Sequence, residues 1–96
     1  MKDRQFGVIT FKSTHHAIKS ESVFNNQDID FRTIPTPREV THSCGLAIKF
    51  DLKDIELAKK IVEENQLDIE GMFKVIKTSE GSKAEKVNWF KEIWYG

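Results

Sequence analysis

Twice along this chain an apolar, strand-like run passes into a helical run and then into another strand. That repeated unit restricts the fold more than any other feature. Phe6 to Phe11 reads FGVITF, with β-branched and aromatic residues on both parities. Such a pattern predicts a central strand buried on both faces, since a strand with one wet face would alternate. Ser13 or Thr14 can then cap a helix, because either hydroxyl accepts an unpaired N–H of the first turn. The spacing predicts that helix from about His15 to Asn25, with Ala17, Glu21 and Phe24 on a thin apolar stripe beside Ile18. Asn25-Asn26-Gln27-Asp28 closes it, because Asn tolerates the left-handed conformation of helix ends. Ile29 to Ile34 reads as a second strand stopped by Pro35-Thr36-Pro37, since each proline removes a donor and fixes φ.

Arg38 to Gly45 reads as a polar connection and Leu46 to Phe50 as a third strand. Asp51-Leu52-Lys53-Asp54 resembles a capping box ahead of the clearest helix. There Ile55, Ala58, Ile61 and Val62 share one face, Lys59, Lys60, Glu63 and Glu64 fill the other, and Asn65 ends the run. Met72 to Ile76, entered through Gly71, makes a fourth strand. Two βα crossovers joined by a hairpin predict an α+β fold, a ferredoxin-like βαββαβ two-layer sandwich with an antiparallel sheet. The expected domain spans 1–78. Residues 79–96 then read as a linker and a C-terminal tail. Within that tail Val87, Phe90 and Trp94, with Trp89 and Ile93 beside them, predict an amphipathic helix from Ala84 to Tyr95.

A chain of 96 residues has room for one hydrophobic core. Its fifteen basic and fifteen acidic side chains cancel, which removes the electrostatic argument for nucleic acid or an anionic membrane unless a local patch supplies it. No apolar run reaches the roughly 20 residues of a membrane-spanning helix, and the N-terminus lacks the layout of a signal peptide. The single cysteine excludes an internal disulfide and a multi-cysteine zinc site. The expectation is a small cytoplasmic domain.

In the predicted topology the first and third strands are antiparallel neighbours, so Ser13-Thr14-His15-His16 and His42-Ser43-Cys44-Gly45 meet at one sheet edge. A cysteine beside a helix N-terminus shares its free N–H groups and the positive end of its dipole, which lowers a thiol pKa. Arg38, His15 and His42 are candidates for further positive charge, and Gly45 for close backbone approach or positive φ. Set against this, free cysteine often acts as a small buried hydrophobe, and its polar surroundings make the two readings about even. Histidines 15, 16 and 42 with Cys44 nominally supply four zinc ligands, but neighbouring helical histidines point apart, and exposed cap or loop histidines are the preferred reading. Glu39 or Glu21 could orient a histidine for Cys–His chemistry, although no spacing demands it. No phosphate-binding glycine loop is present. Thr33 to Glu39 reads as a stiffened loop in preference to a recognition segment.

Three runs together carry a resemblance. They are Gly7-Val8-Ile9-Thr10-Phe11 through Ser13-Thr14-His15; Phe31-Arg32-Thr33-Ile34-Pro35-Thr36-Pro37-Arg38-Glu39; and Ser43-Cys44-Gly45-Leu46-Ala47-Ile48-Lys49-Phe50. From about Phe6 to Ile76 the sequence resembles the selenium/sulfur carrier protein-like family, the IPTPRE run followed by SCG being its most specific part. The resemblance implies a carrier that holds sulfur or selenium on its cysteine as a persulfide or selenosulfide, which by position is Cys44. It implies a donor such as a cysteine desulfurase and an acceptor protein. The Cys-Pro-x-Pro motif of other sulfur-relay carriers is missing, and Lys77 to Gly96 lies outside the resemblance.

On this reading Cys44 takes up and passes on the chalcogen. Arg38 and the helix N–H groups, at Thr14, support the thiolate; His15 or His42 handles protons. The chain is then a carrier and not a turnover enzyme, with no cofactor and no metal. Two alternatives stand beside it: a protein-interaction or regulatory module, such as a homodimer, with a structural cysteine, and a thiol redox sensor.

Overall fold

The computed structural model describes residues 4–37, 40 and 45–87. It is an α+β domain with one five-stranded antiparallel sheet and two α-helices. The strands are β1 (Arg4–Phe11), β2 (Phe31–Pro35), β3 (Leu46–Asp51), β4 (Ile69–Thr78) and β5 (Gly81–Lys86). The helices are α1 (Thr14–Asn25) and α2 (Ile55–Glu64), and the sheet order is β2-β3-β1-β4-β5.

β1 is central, and its two-faced apolar pattern is explained by burial on both sides. Ile9 and Phe11 are fully buried in the helix-side core, with Ile48, Phe50 and Met72 from neighbouring strands. Val8, also fully buried, joins Ala47 and Val75 on the opposite face. The helices contribute Ala17 and Phe24 from α1 and Ala58, Ile61 and Val62 from α2. Ile18, expected beside the stripe of α1, is 56% exposed; Ser20 is buried in the face instead. Gly7 lies opposite Phe50 in the β1–β3 register, where a Cβ would run into the Phe50 ring. The missing side chain makes room for that ring.

Several expected boundaries shift. Asp51 to Asp54 is not a capping box: Asp51 Oδ1 accepts the Lys53 N–H at 3.1 Å and caps a single 3₁₀ turn, Leu52–Asp54, while Asp54 caps α2 without a side-chain bond. α2 closes through Asn65 and then Gln66, whose φ of 50° is left-handed; Leu67 N–H reaches back to the Val62 carbonyl at 3.0 Å. β2 runs through Pro35 instead of stopping before it, which an edge strand permits on its unpaired side. β4 is longer than Met72 to Ile76, because β1 and β5 pair with it on its two sides.

The largest correction is β5. The polar run before Lys83 and the start of the expected C-terminal helix, Ala84–Lys86, form a strand instead. A two-residue turn, Ser79-Glu80, sends the chain back along β4. Thr78 Oγ1 accepts the Glu80 N–H and donates to the Gly81 carbonyl, and Gly81 takes φ 137°, which a side chain would resist. The sheet therefore continues past residue 78. The remainder of the expected helix, from residue 88, lies outside the described residues. No helix among the described residues is long and apolar enough to cross a membrane.

Candidate functional site

Register places the candidate residues. β1 and β3 are antiparallel with Thr10 opposite Ala47, and β1 meets β4 with Phe11 opposite Ile69. The end of β1, the N-terminus of α1 and the starts of β3 and β4 therefore lie at one end of the sheet. Gly45 and the segment Ser13-Thr14-His15-His16 share that end, as the topology predicted. Cys44, Arg38 and His42 fall outside the described residues. The loop that carries them is closed at its base: Thr36 N–H donates to the Gly45 carbonyl at 3.0 Å, one step beyond the pairing of Pro35 with Leu46. Within the loop, Val40 N–H donates to the Pro37 carbonyl at 3.0 Å and its side chain is buried. Cys44 is thus bonded covalently to a residue held at the sheet end.

Ser13, and not Thr14, caps α1. Its extended backbone turns Oγ onto the His16 N–H at 3.4 Å, satisfying one of the helix's unpaired donors. Ser13 Oγ also lies 2.8 Å from His16 Nδ1. Which of the two donates follows the imidazole tautomer, and the other ring nitrogen is Nε2. That nitrogen faces Asp68 Oδ2 at 3.4 Å, while Asp68 Oδ1 lies 3.6 Å from Lys12 Nζ. The result is a chain from Ser13 through His16 and Asp68 to Lys12 across the sheet end, with His16 half-buried and fixed in orientation. It can hold or pass a proton beside the α1 N-terminus. Ser13 itself is engaged as the cap.

Thr14 and His15 are exposed, and the His15 ring meets the His16 ring edge-on, at 6.1 Å between centroids. Of the two described histidines, the fold orients His16. Its carboxylate partner is Asp68 and not Glu21; Glu39 lies outside the described residues. Sequence reasoning missed Asp68 because nothing local marks it, and only the start of β4 brings it to this end. Gly45 is exposed, a Cβ there would meet nothing within 4 Å, and its φ is not left-handed. Neither backbone reason expected for that glycine is present among the described residues. No group of three or more His, Cys, Asp or Glu side chains suited to a metal occurs among them either.

These features define a small α+β domain in which Gly45, the residue after the lone cysteine in sequence, lies at the same sheet end as the capped start of α1. The family model described as "Putative Se/S carrier protein-like" matches residues 6–74, and the chain belongs to that family. The match includes Cys44 and ends before β5. No curated protein and no solved structure matches the chain.

Proposed function

We propose that this protein carries sulfur or selenium on Cys44 between a donor and an acceptor protein. Family membership is the observation that carries this reading. The location of Gly45 at the α1 end of the sheet supports it, because helix N–H groups favour an anionic sulfur. The Cys44 thiolate attacks the terminal sulfur of a donor persulfide; a new S–S bond forms on Cys44, the donor's S–S bond breaks, and the donor leaves as a thiolate. The bound sulfur then passes to an acceptor nucleophile and Cys44 returns as thiolate. Neither half needs an external oxidant, since sulfane sulfur moves without change in the total of disulfide-type bonds. His16, held by Ser13 and Asp68, is the oriented proton-handling group in the first turn of α1, with Arg38 and His42 as further support for the anion. A cysteine desulfurase is the class of donor that fits, and a reducing cytoplasm suits a protein whose single thiol must stay free.

We read the first four strands with the two helices as a ferredoxin-like unit, supported by their order β2-β3-β1-β4, to which β5 adds an edge. The test of function is intact mass after incubation with a cysteine desulfurase and cysteine. The wild-type chain gains one sulfur atom, reversibly by reductant, and Cys44→Ser gains none. A wild type of unchanged mass, under conditions in which the desulfurase persulfidates another acceptor, returns Cys44 to a structural role.

A further inference from the structure

The outer edge of β5 pairs with no strand among the described residues. The opposite edge, β2, carries Pro35, and a proline on an edge strand blunts it against further pairing. β5 has no proline, and its register with β4 runs unbroken from Gly81 opposite Thr78 to Lys86 opposite Phe73. That ladder fixes the phase of its backbone. Val87 N–H donates to the Met72 carbonyl at 2.8 Å, so by the two-residue alternation Glu85 and Lys83 also turn their backbone groups toward β4. Ala84 therefore turns its N–H and its carbonyl outward.

The residues on either side of Ala84 carry opposite charges. Lys83 and Glu85 are both exposed and, two residues apart on one strand, share one face of the sheet. Glu85 Oε1 lies 3.7 Å from Lys74 Nζ across the β4–β5 pair. Lys83 stands opposite Ile76 and makes no ion pair among the described residues. Its own neighbour strand therefore gives that cation no counter-charge. Ala84 lies on the other face, opposite Val75, and packs against the cluster of Val8, Ala47 and Val75.

We infer that β5 pairs antiparallel with β5 of a second copy of this chain, about a two-fold axis at Ala84, so that the two five-stranded sheets join into one. Ala84 then exchanges both backbone hydrogen bonds with Ala84 of the second copy. Lys83 falls opposite Glu85 of the second copy, and Glu85 opposite its Lys83, in the closer pairs that share no backbone bond. Charge selects this register. A slip of two residues one way sets Lys83 against its own counterpart, and a slip the other way sets Glu85 against its own; like charges directly opposed destabilise a sheet. A slip of one residue sets outward backbone groups against inward ones and forms no ladder. The two-fold uses up both β5 edges and leaves only the β2 edges with Pro35, so assembly stops at a dimer. A strand of six residues is a small interface, so the dimer is weak and forms with rising concentration. The pairing makes no use of Cys44 and holds whether or not the chain carries sulfur, since β5 lies beyond the family match over residues 6–74.

Sedimentation velocity of the full chain, in reductant so that no thiol-linked dimer contributes, is expected to show the mass of one chain giving way to that of two as concentration rises. Hydrogen exchange on the same samples needs no substitution and is expected to slow at the Ala84 amide as the dimer forms. Lys83→Glu and Glu85→Lys each set like charges opposite one another twice per dimer, and each is expected to weaken self-association at least about tenfold. An equal mixture of the two variants restores both opposite-charge pairs and is expected to associate where neither does alone. Thermal melts confirm that each variant folds. Ala84→Pro, which removes the outward N–H and no bond of the β4 ladder, replaces any variant that does not. A chain that stays monomeric up to its solubility limit, a dimer with unchanged exchange at Ala84, a dimer indifferent to the substitutions, or a mixture that associates no better than either variant alone overturns the inference.

Discussion

Replacing Gly7 with alanine tests whether β1 is seated as described. A Cβ at Gly7 would collide with the Phe50 ring, its Cζ and Cε2 atoms most severely and Cε1 at 2.8 Å. Phe50 cannot swing out freely, because it is 2% exposed within the helix-side core. The ring must shift off its rotamer or the two strands must separate, and overpacking of this kind costs roughly 1–3 kcal/mol. Alanine also restricts the unfolded chain, which returns about 0.4–1 kcal/mol. The net expectation is a loss of about 1–2 kcal/mol, or a melting point lower by roughly 5–15 °C for a domain of this size. Thermal melts by circular dichroism measure it. The stronger check is the double variant with Phe50→Leu, which shortens the group in collision. If the collision is the cause, the two costs combine to less than their sum. A Gly7→Ala chain that melts with the wild type, or strictly additive costs, would refute the reasoning.

Ser13→Ala removes the α1 cap and the Nδ1 partner of His16, with an expected cost of about 0.5–2 kcal/mol in denaturant unfolding, whereas Ser13→Asp restores most of the helix term. Retained stability in the alanine variant would mean the cap contributes nothing. Cys44 is expected to react with iodoacetamide in the folded protein, and mass spectrometry before and after denaturation reads this directly; a thiol that reacts only when unfolded counts against the carrier. Val8, Ala47 and Val75 are fully buried on the face without helices, and Trp89, Phe90, Ile93 and Trp94 follow β5. A chain ending at Val87 is therefore expected to melt lower and to scatter light, each large side chain removed from burial being worth roughly 1.5–3 kcal/mol. A soluble truncated chain of unchanged stability would show that these aromatics do not contribute to the fold.

Elements with a strong local signature were legible in the sequence. The double-sided apolar run of β1, the amphipathic face of α2 and the hydroxyl before α1 each act within a few residues, so their consequences follow from the residues themselves. β5 was not legible. Gly81–Lys86 carries one partly buried side chain, Ala84, paired with Val75, and its other positions are exposed. An edge strand needs little apolar surface when a neighbour supplies the ladder, so no period-2 pattern announces it. Pro35 misled for a related reason: whether a missing N–H ends a strand depends on which side is unpaired.

The site divides in the same way. The sequence alone determined that the chain has one thiol, Cys44, in a polar run after two prolines. Its family follows from the same residues. Tertiary structure decided which partners surround the helix start. It selected Ser13 over Thr14, oriented His16 instead of His15, and drew Asp68 from the start of β4, which no local pattern links to α1. It also placed Lys49 and Lys77 on one face beside the Phe6 ring. Hydrogen bonds and charge contacts of this kind depend on strand order and register, and those are set by how the whole chain buries its apolar residues.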